Sequence, residues 1–179
     1  MNIPRELASG LSEPGSRREA GLTRWLSPLL LLAATSALAL TGCGRPFDVK
    51  TAPGLVELDD QEPEYSYRAI APERVVMAVR VVDTKGRGDL EFWTRATTLR
   101  MHELDGYALL GTADVKSRDG TPGHELRFGH DEGHKPYLYV LRVFVAGKRL
   151  FLVETGGPQP QMERYKGTLD WMQATLKLD

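Results

Sequence analysis

The chain has 179 residues, enough for one domain of ordinary size with its own hydrophobic core. It carries 23 Lys and Arg residues against 24 Asp and Glu residues, a formal net charge of −1. A charge this close to zero gives no electrostatic basis for binding a polyanion, so we expect no nucleic-acid partner. The single cysteine excludes a disulfide within the chain.

A segment near the N-terminus has the layout of a secretory signal. Arginines precede a run of apolar and small side chains at residues 29–40, which ends at Leu40-Thr41-Gly42-Cys43. This run is shorter than the roughly 20 residues that a transmembrane helix needs. The four-residue ending resembles the lipobox of bacterial lipoprotein precursors, in which cleavage before the cysteine is coupled to its lipidation. The resemblance implies that residues 1–42 are a lipoprotein signal peptide and that acylated Cys43 anchors the protein to a membrane.

The residues after Cys43 predict where the protein is held and how the domain is attached. Gly44 stands where an Asp would retain such a lipoprotein on the inner membrane, so the resemblance implies a cell-envelope location on the outer membrane. Residues 43–64 contain prolines and clustered acidic side chains, a composition that opposes packing. We expect this segment to be a lipidated cysteine and a flexible tether, with a short strand at Leu55-Val56. Residues 65–179 are expected to form a single domain.

The domain opens with two predicted strands and a helix. Residues 65–71 alternate in side-chain type, and residues 75–82 are nearly all apolar and β-branched. Asp89 is placed to cap a helix that runs to about Leu104. This helix is apolar on two sides, so we expect it to be buried between layers, with Phe92 and Trp93 in the core. The alternative is an exposed apolar face that marks a partner site.

Four strands and a second helix complete the pattern. The strands are predicted at residues 107–115, 124–128, 137–146 and 149–154. Asp119-Gly120 suits a hairpin turn between the first two of them. Gly156-Gly157-Pro158 is expected to end the last strand, with Pro158 or Pro160 in the first turn of the closing helix. Trp171 lies opposite the apolar stripe of that helix, where it either packs on a loop or is available to a partner.

This order of elements predicts an α+β fold in which two helices cover a largely antiparallel sheet. Together with the lipobox, it resembles the PsbP-like and DcrB-like α/β sandwich domains. The resemblance covers Tyr65 to Leu178 and depends on the stretch Asp89 to Glu154 and on the closing helix. It implies a binding and assembly module attached to a membrane complex, and it brings no active-site residues. A cystatin-like or NTF2-like fold is the alternative, but the closing amphipathic helix counts against it.

No catalytic motif is present in the sequence. Ser66 and Ser117 are the two serines after the leader, and neither lies in a nucleophile elbow. The glycine pair at 156–157 lacks the further Gly and Lys that phosphate-binding loops use. We therefore expect no catalytic residues and no cofactor.

One histidine-rich segment, residues 128–136, is a weak candidate for a metal site. His130, Glu132 and His134 bring imidazole and carboxylate groups together, and both groups bind zinc or copper. The segment is bounded by Gly129 and Pro136 and is expected to be an exposed polar connection between two strands.

Charged residues within the apolar strands also need partners. Glu154 falls in register with the apolar residues of the last predicted strand, so it can point toward a covered face and mark a pocket. We expect it either to reach solvent or to pair with Arg80 or Arg142.

These observations support two hypotheses about function. The first is a lipid-anchored bacterial envelope lipoprotein that serves as a non-enzymatic interaction or assembly module for an envelope protein. The alternative is a metal- or small-ligand-binding lipoprotein that uses the loop from His130 to His134.

Overall fold

The computed structural model describes residues 44–59, 62–103 and 106–179, except for the side chain of Glu132. In chain order the elements are β1 (Phe47–Asp48), β2 (Val56–Glu57), β3 (Tyr67–Ile70), β4 (Val76–Asp83), α1 (Leu90–Glu103), β5 (Ala108–Lys116), β6 (Pro122–Glu132), β7 (Lys135–Ala146), β8 (Arg149–Pro158), α2 (Gln159–Thr175) and β9 (Lys177–Leu178). Seven of these strands form one sheet in the order β2-β3-β4-β8-β7-β6-β5, and β1 pairs with β9. Every pairing is antiparallel, which confirms the predicted α+β fold.

Helix α2 closes one face of the sheet. Its residues Met162, Leu169 and Met172 are buried at 4%, 4% and 0% exposure. They pack in the same core as Phe151 and Val153 of β8. Pro160 lies in the first turn of α2, as predicted, because proline lacks the N–H that this turn leaves unpaired.

The segment after Gly44 packs on the same face, so the expectation of a flexible tether is wrong for this part of the chain. Phe47 and Leu55 are 4% and 7% exposed. Phe47 pairs with Leu178 and its ring meets that of Phe151 edge to face, with centroids 6.5 Å apart. Apolar burial and strand pairing together outweigh the extending effect of the prolines and acidic residues. The short strand expected at Leu55-Val56 is present as β2.

Helix α1 packs on the opposite face, and Asp89 caps it as predicted, because its Oδ1 accepts the N–H of Phe92 at 2.8 Å. The expectation that this helix is buried on two sides is wrong. Phe92 and Leu99 are 48% and 49% exposed, since nothing in the described part of the chain covers the outer side of α1. Leu104 lies outside the described residues. Within the described ranges, neither helix combines the length and apolar character needed to cross a membrane.

The predicted four-strand meander is present, but the connection between its second and third strands is shorter than expected. Strands β6 and β7 continue to Glu132 and from Lys135, so Gly133 and His134 alone form the connection. Both residues have positive φ, 55° and 66°, as two-residue hairpin turns require. The expected polar loop from Gly129 to Pro136 is therefore largely strand.

Candidate functional site

One part of the sheet on the α1 side is left open. Helix α1 packs chiefly on β5, β6 and β7, and its apolar cluster includes Leu150 at the start of β8. It leaves a depression over the α1-side surface of β4 and of β8 around Glu154. Side chains alternate along a strand, and the register of the sheet brings Arg80 of β4, Glu154 of β8 and Tyr139 of β7 to this side. The uncovered area is therefore polar and aromatic.

Two adjoining depressions, of about 380 and 460 Å³, occupy this area. Both are lined by Tyr65, Tyr107, Tyr139 and Glu154. We call the combined surface the tyrosine groove. Its defining residues are Tyr65, Arg74, Arg80, Tyr107, Tyr137, Tyr139 and Glu154.

A glycine in β8 shapes the floor of the tyrosine groove. A Cβ atom placed at Gly156 would lie 3.0 Å from Cδ2 of Tyr139, closer than an ordinary contact. Gly156 pairs with both Tyr139 and Val76, and β8 continues to Pro158. The expectation that the two glycines end the strand is therefore wrong, and Gly156 instead admits a tyrosine ring.

Glu154 is the buried carboxylate of the groove. Its side chain is 7% exposed and forms an ion pair with the Arg80 guanidinium. The Tyr139 hydroxyl donates a hydrogen bond to the same carboxylate. Arg80 also lies over the ring of Tyr65, with Cζ 5.6 Å from the ring centroid. The interpretation that Glu154 pairs with Arg80 is confirmed.

Two hydroxyls of the groove, those of Tyr65 and Tyr139, have raised pKa values and stay protonated at neutral pH. Burial raises the pKa of Tyr139 far above its ordinary value of 10, and the negative charge of Glu154 raises it further. Burial, followed by Glu154, also raises the pKa of Tyr65. The groove therefore presents neutral hydroxyl groups and aromatic rings.

Arginines lie along the rim of the groove. Arg68 pairs with Glu62, and its Cζ lies 5.2 Å from the centroid of the Tyr65 ring. Arg74 is exposed, and no ion pair of its side chain is found among the described residues. Tyr and Arg are enriched in the residues that dominate protein–protein binding energy, so this composition is typical of an interaction surface.

A smaller depression of about 320 Å³ lies on the α2 side, between the helix and the sheet. Its charged groups pair with each other: Arg142 Nε lies 2.8 Å from Glu125 Oε2, and Lys166 Nζ lies 2.5 Å from Asp170 Oδ2. Arg142 thus takes Glu125, not Glu154, as its partner. These ion pairs leave this depression with less capacity for a charged partner than the tyrosine groove.

Three of the four histidines, His124, His130 and His134, lie along β6 and in the turn after it. The His130 ring lies against that of Tyr107, with centroids 4.9 Å apart, and His124 Nδ1 lies 2.9 Å from Asp114 Oδ1. His134 occupies the hairpin turn, and the side chain of Glu132 lies outside the described part. Across the described residues, no three His, Cys, Asp or Glu side chains converge as a metal site.

Sequence reasoning identified Glu154 and Arg80 but missed the tyrosines around them. The available signal was the pair Tyr137 and Tyr139, which alternate along one strand and therefore share a face. Cys43 and the rest of the lipobox lie outside the described residues.

No protein-family model and no curated protein sequence matches this chain. Several solved structures do. LpqN of Mycobacterium tuberculosis, described as involved in cell envelope biogenesis, has a TM-score of 0.59 at 9% identity over 74% of this chain and 82% of LpqN. The Ran-binding protein Mog1p of Saccharomyces cerevisiae has a TM-score of 0.53 at 9% identity, over 74% and 90% of the two chains.

Cyanobacterial PsbP of Synechocystis sp. PCC 6803 is a third structural neighbour. Its TM-score is 0.51 at 11% identity, over 77% of this chain and 96% of that protein. At such low identities the likeness concerns the fold, and all three neighbours share the arrangement of helices and antiparallel sheet. This chain has the PsbP/Mog1-like fold.

Proposed function

We propose that this protein is a lipid-anchored lipoprotein of the bacterial cell envelope whose domain binds a protein partner and catalyses no reaction. The membrane anchor is the acylated Cys43, and the binding surface is the tyrosine groove. Its role is that of an interaction or assembly module.

The sequence before Cys43 supports the proposal that this cysteine is the membrane anchor. Leu40-Thr41-Gly42-Cys43 follows an apolar run of the length found in secretory signals. The fold is shared with LpqN, a protein involved in cell envelope biogenesis, which supports an envelope location. By the lipobox resemblance, Gly44 in place of an inner-membrane retention Asp supports a location on the outer membrane.

The composition of the groove is the observation that carries the binding role. Four tyrosine rings line an open depression whose rim includes the exposed Arg74. Tyrosine rings contribute large contact area at a small cost in side-chain entropy, and arginine binds carboxylates in a defined geometry. The partner is therefore expected to present apolar side chains to the rings and an acidic side chain to Arg74.

The same geometry favours binding over catalysis. Glu154, the buried carboxylate in the groove, is already paired with Arg80 and accepts a hydrogen bond from Tyr139. A general acid or base must instead exchange its proton with a reacting group at the working pH. The cluster is suited to fixing the shape of the groove.

Metabolic labelling with a fatty-acid analogue tests the anchor. The wild-type protein should take up the label and fractionate with membranes, whereas Cys43→Ala should do neither. A native protein that begins upstream of Cys43, or that carries a free thiol there, would contradict the anchor.

Charge reversal tests the binding surface. Arg74→Glu places a negative charge at the groove rim, and Lys166→Glu makes the same change on the exposed surface of α2. In quantitative co-purification from detergent-solubilised envelopes, Arg74→Glu should reduce recovery of the partner by about tenfold, the effect of one binding hot spot. Lys166→Glu should leave recovery unchanged. Equal recovery from both variants would contradict a role for the groove.

A further inference from the structure

The proposed anchor is separated from the folded domain by very little chain. Gly44 alone stands between Cys43 and Arg45. The Arg45 Nη1 atom lies 2.7 Å from Glu57 Oε1, and its guanidinium Cζ lies 5.4 Å from the centroid of the Tyr67 ring. Consecutive Cα atoms are about 3.8 Å apart, so an attachment two residues before Arg45 can extend at most about 8 Å from it.

The residues that follow Arg45 are also held on the body of the domain. The N–H of Asp179 donates to Pro46 O at 3.1 Å, and Phe47 pairs with Leu178. The N–H of Lys50 donates to Thr175 Oγ1 at 2.9 Å. We call residues 45–50 with residues 175–179 the N-terminal clasp. A flexible tether of about 20 residues would span about 25 Å, and the clasp replaces it with a fixed attachment.

An exposed tryptophan lies next to the clasp. Trp171 is 47% exposed on α2. It precedes Thr175 by four residues, so both side chains lie on the same face of the helix, one turn apart. Thr175 is the residue that accepts the N–H of Lys50. An indole ring is favoured at the boundary between lipid and water, because it has an apolar body and one N–H donor.

We infer that the N-terminal clasp and Trp171 face the lipid bilayer directly, so that the domain rests on the membrane by its α2 side. The occupant of this surface is the headgroup region of the bilayer. The tyrosine groove lies on the opposite face of the sheet and therefore opens away from the membrane, toward a partner. This inference depends on the proposed lipidation of Cys43.

The chain supplies a matched pair of probes for this orientation. After removal of residues 1–42, two tryptophans remain, Trp171 on α2 and Trp93 on α1. Trp93→Phe leaves Trp171 as the single emitter, and Trp171→Phe leaves Trp93. Both variants would be purified from cells as the processed, lipidated protein and reconstituted into vesicles containing brominated phosphatidylcholine.

Quenching by the brominated lipid then reports which face meets the membrane. Trp171 emission should fall about twofold or more, because an interfacial indole lies near the lipid chains. Trp93 emission should be unchanged. Equal quenching of both tryptophans, or no quenching of Trp171, would overturn the orientation. Fluorine NMR of wild-type protein containing fluorotryptophan, with a paramagnetic lipid as the broadening agent, gives the same comparison without substitution.

An insertion variant tests the orientation independently of the lipidation. A Gly/Ser segment of about 20 residues, placed between Gly44 and Arg45, lengthens the attachment by about 25 Å. It should reduce Trp171 quenching while the protein still floats with the vesicles. Failure of the wild-type protein to float would contradict the lipid anchor. Flotation with undiminished Trp171 quenching after the insertion would contradict an orientation imposed by the short attachment.

Discussion

Two amphipathic helices cover the two faces of this sheet, and they do so to different extents. Helix α2 has 17 residues and buries Met162, Leu169, Met172 and Gln173. Helix α1 has 14 residues and buries none. The residues after Gly44 join α2 in closing its side, whereas α1 leaves β4 and the part of β8 around Glu154 uncovered. One side of the sheet is thus covered along its length, and the other is open at the tyrosine groove.

We infer from this difference that the α2 side mainly stabilises the fold and that the α1 side mainly binds a partner. The α2 side contains most of the fully buried large side chains, including Phe151 and Met172. The α1 side carries exposed apolar residues, Phe92 and Leu99, on the outer side of α1. An exposed apolar patch with a polar surround is typical of an interaction site. Substitutions of buried residues on the α2 side should therefore cost stability, and substitutions of exposed residues on the α1 side should cost binding.

The largest expected effect compares one apolar residue from each helix. Met172→Ala removes a fully buried side chain and should lower the free energy of unfolding by about 3 kcal/mol. Phe92→Ala removes a half-exposed ring and should cost less than about 1 kcal/mol. Urea-induced unfolding at pH 7 measures both values. Similar losses from the two variants would show that α1 is as deeply packed as α2.

The next effect concerns the ion pair between Arg80 and the buried carboxylate of Glu154 in the tyrosine groove. Arg80→Met leaves the carboxylate of Glu154 buried without its partner, which should lower the free energy of unfolding by about 2 kcal/mol. The double variant Arg80→Met/Glu154→Leu removes the stranded charge and should recover most of this loss. A double variant no more stable than Arg80→Met would refute the pairing as the source of the effect.

The third prediction concerns how the free energy of unfolding depends on alkaline pH, through the buried hydroxyl of Tyr139. Tyr139 has a raised pKa in the folded state, so above pH 10 the folded protein retains a proton that the unfolded chain releases. The free energy of unfolding should therefore fall as pH rises, by up to about 1.4 kcal/mol per pH unit for this group. Tyr139→Phe should reduce this slope in urea titrations between pH 9 and 11. An unchanged slope would place the ionising group elsewhere.

The smallest expected effect concerns the hydrogen bond to Asp119 that holds β9 in place. Asp119, in the turn between β5 and β6, accepts hydrogen bonds from Thr121, from Ser117 and from the N–H of Leu178. Burial raises its pKa, but these hydrogen bonds outweigh that effect and lower the pKa to about 2. Asp119→Ala should cost about 1 kcal/mol at pH 7, a figure reduced to allow for solvent exposure.

The pH dependence of this loss has a defined direction. A carboxylate with a lowered folded-state pKa stabilises the protein above its ordinary pKa of 3.8 and ceases to do so as pH falls toward 2. Urea unfolding of wild type and Asp119→Ala should therefore converge between pH 4 and pH 2. A difference that persists unchanged at pH 2 would show that the carboxylate charge is not its source.

Local patterns predicted most of the fold. The β-branched run at 75–82, the Asp89 cap and the Asp119-Gly120 turn each specify a conformation through nearby residues. The N-terminal clasp was not predictable in this way, because Phe47 pairs with Leu178 at the far end of the sequence. The periodicity of the sequence also showed that α1 is apolar on two sides. It did not show that only one of those sides packs against the rest of the domain.

The tyrosine groove was only partly predictable for the same reason. Tyr137 and Tyr139 share a face because they alternate along one strand, which sequence alone shows. Their neighbours come from β4 and β8, and the register between those strands depends on pairing over long sequence distances. Gly156 looked like a strand terminus because its close contact with the Tyr139 ring is visible only in three dimensions.

The most direct test of the two-sided account is photo-crosslinking in living cells from matched positions. Tyr137, in the groove, and Tyr165, on α2, are both partly buried tyrosines on opposite sides of the sheet. Each would be replaced in turn by a benzoylphenylalanine. A discrete protein adduct should form from position 137 and not from position 165. An adduct from position 165 alone would contradict the assignment of binding to the tyrosine groove.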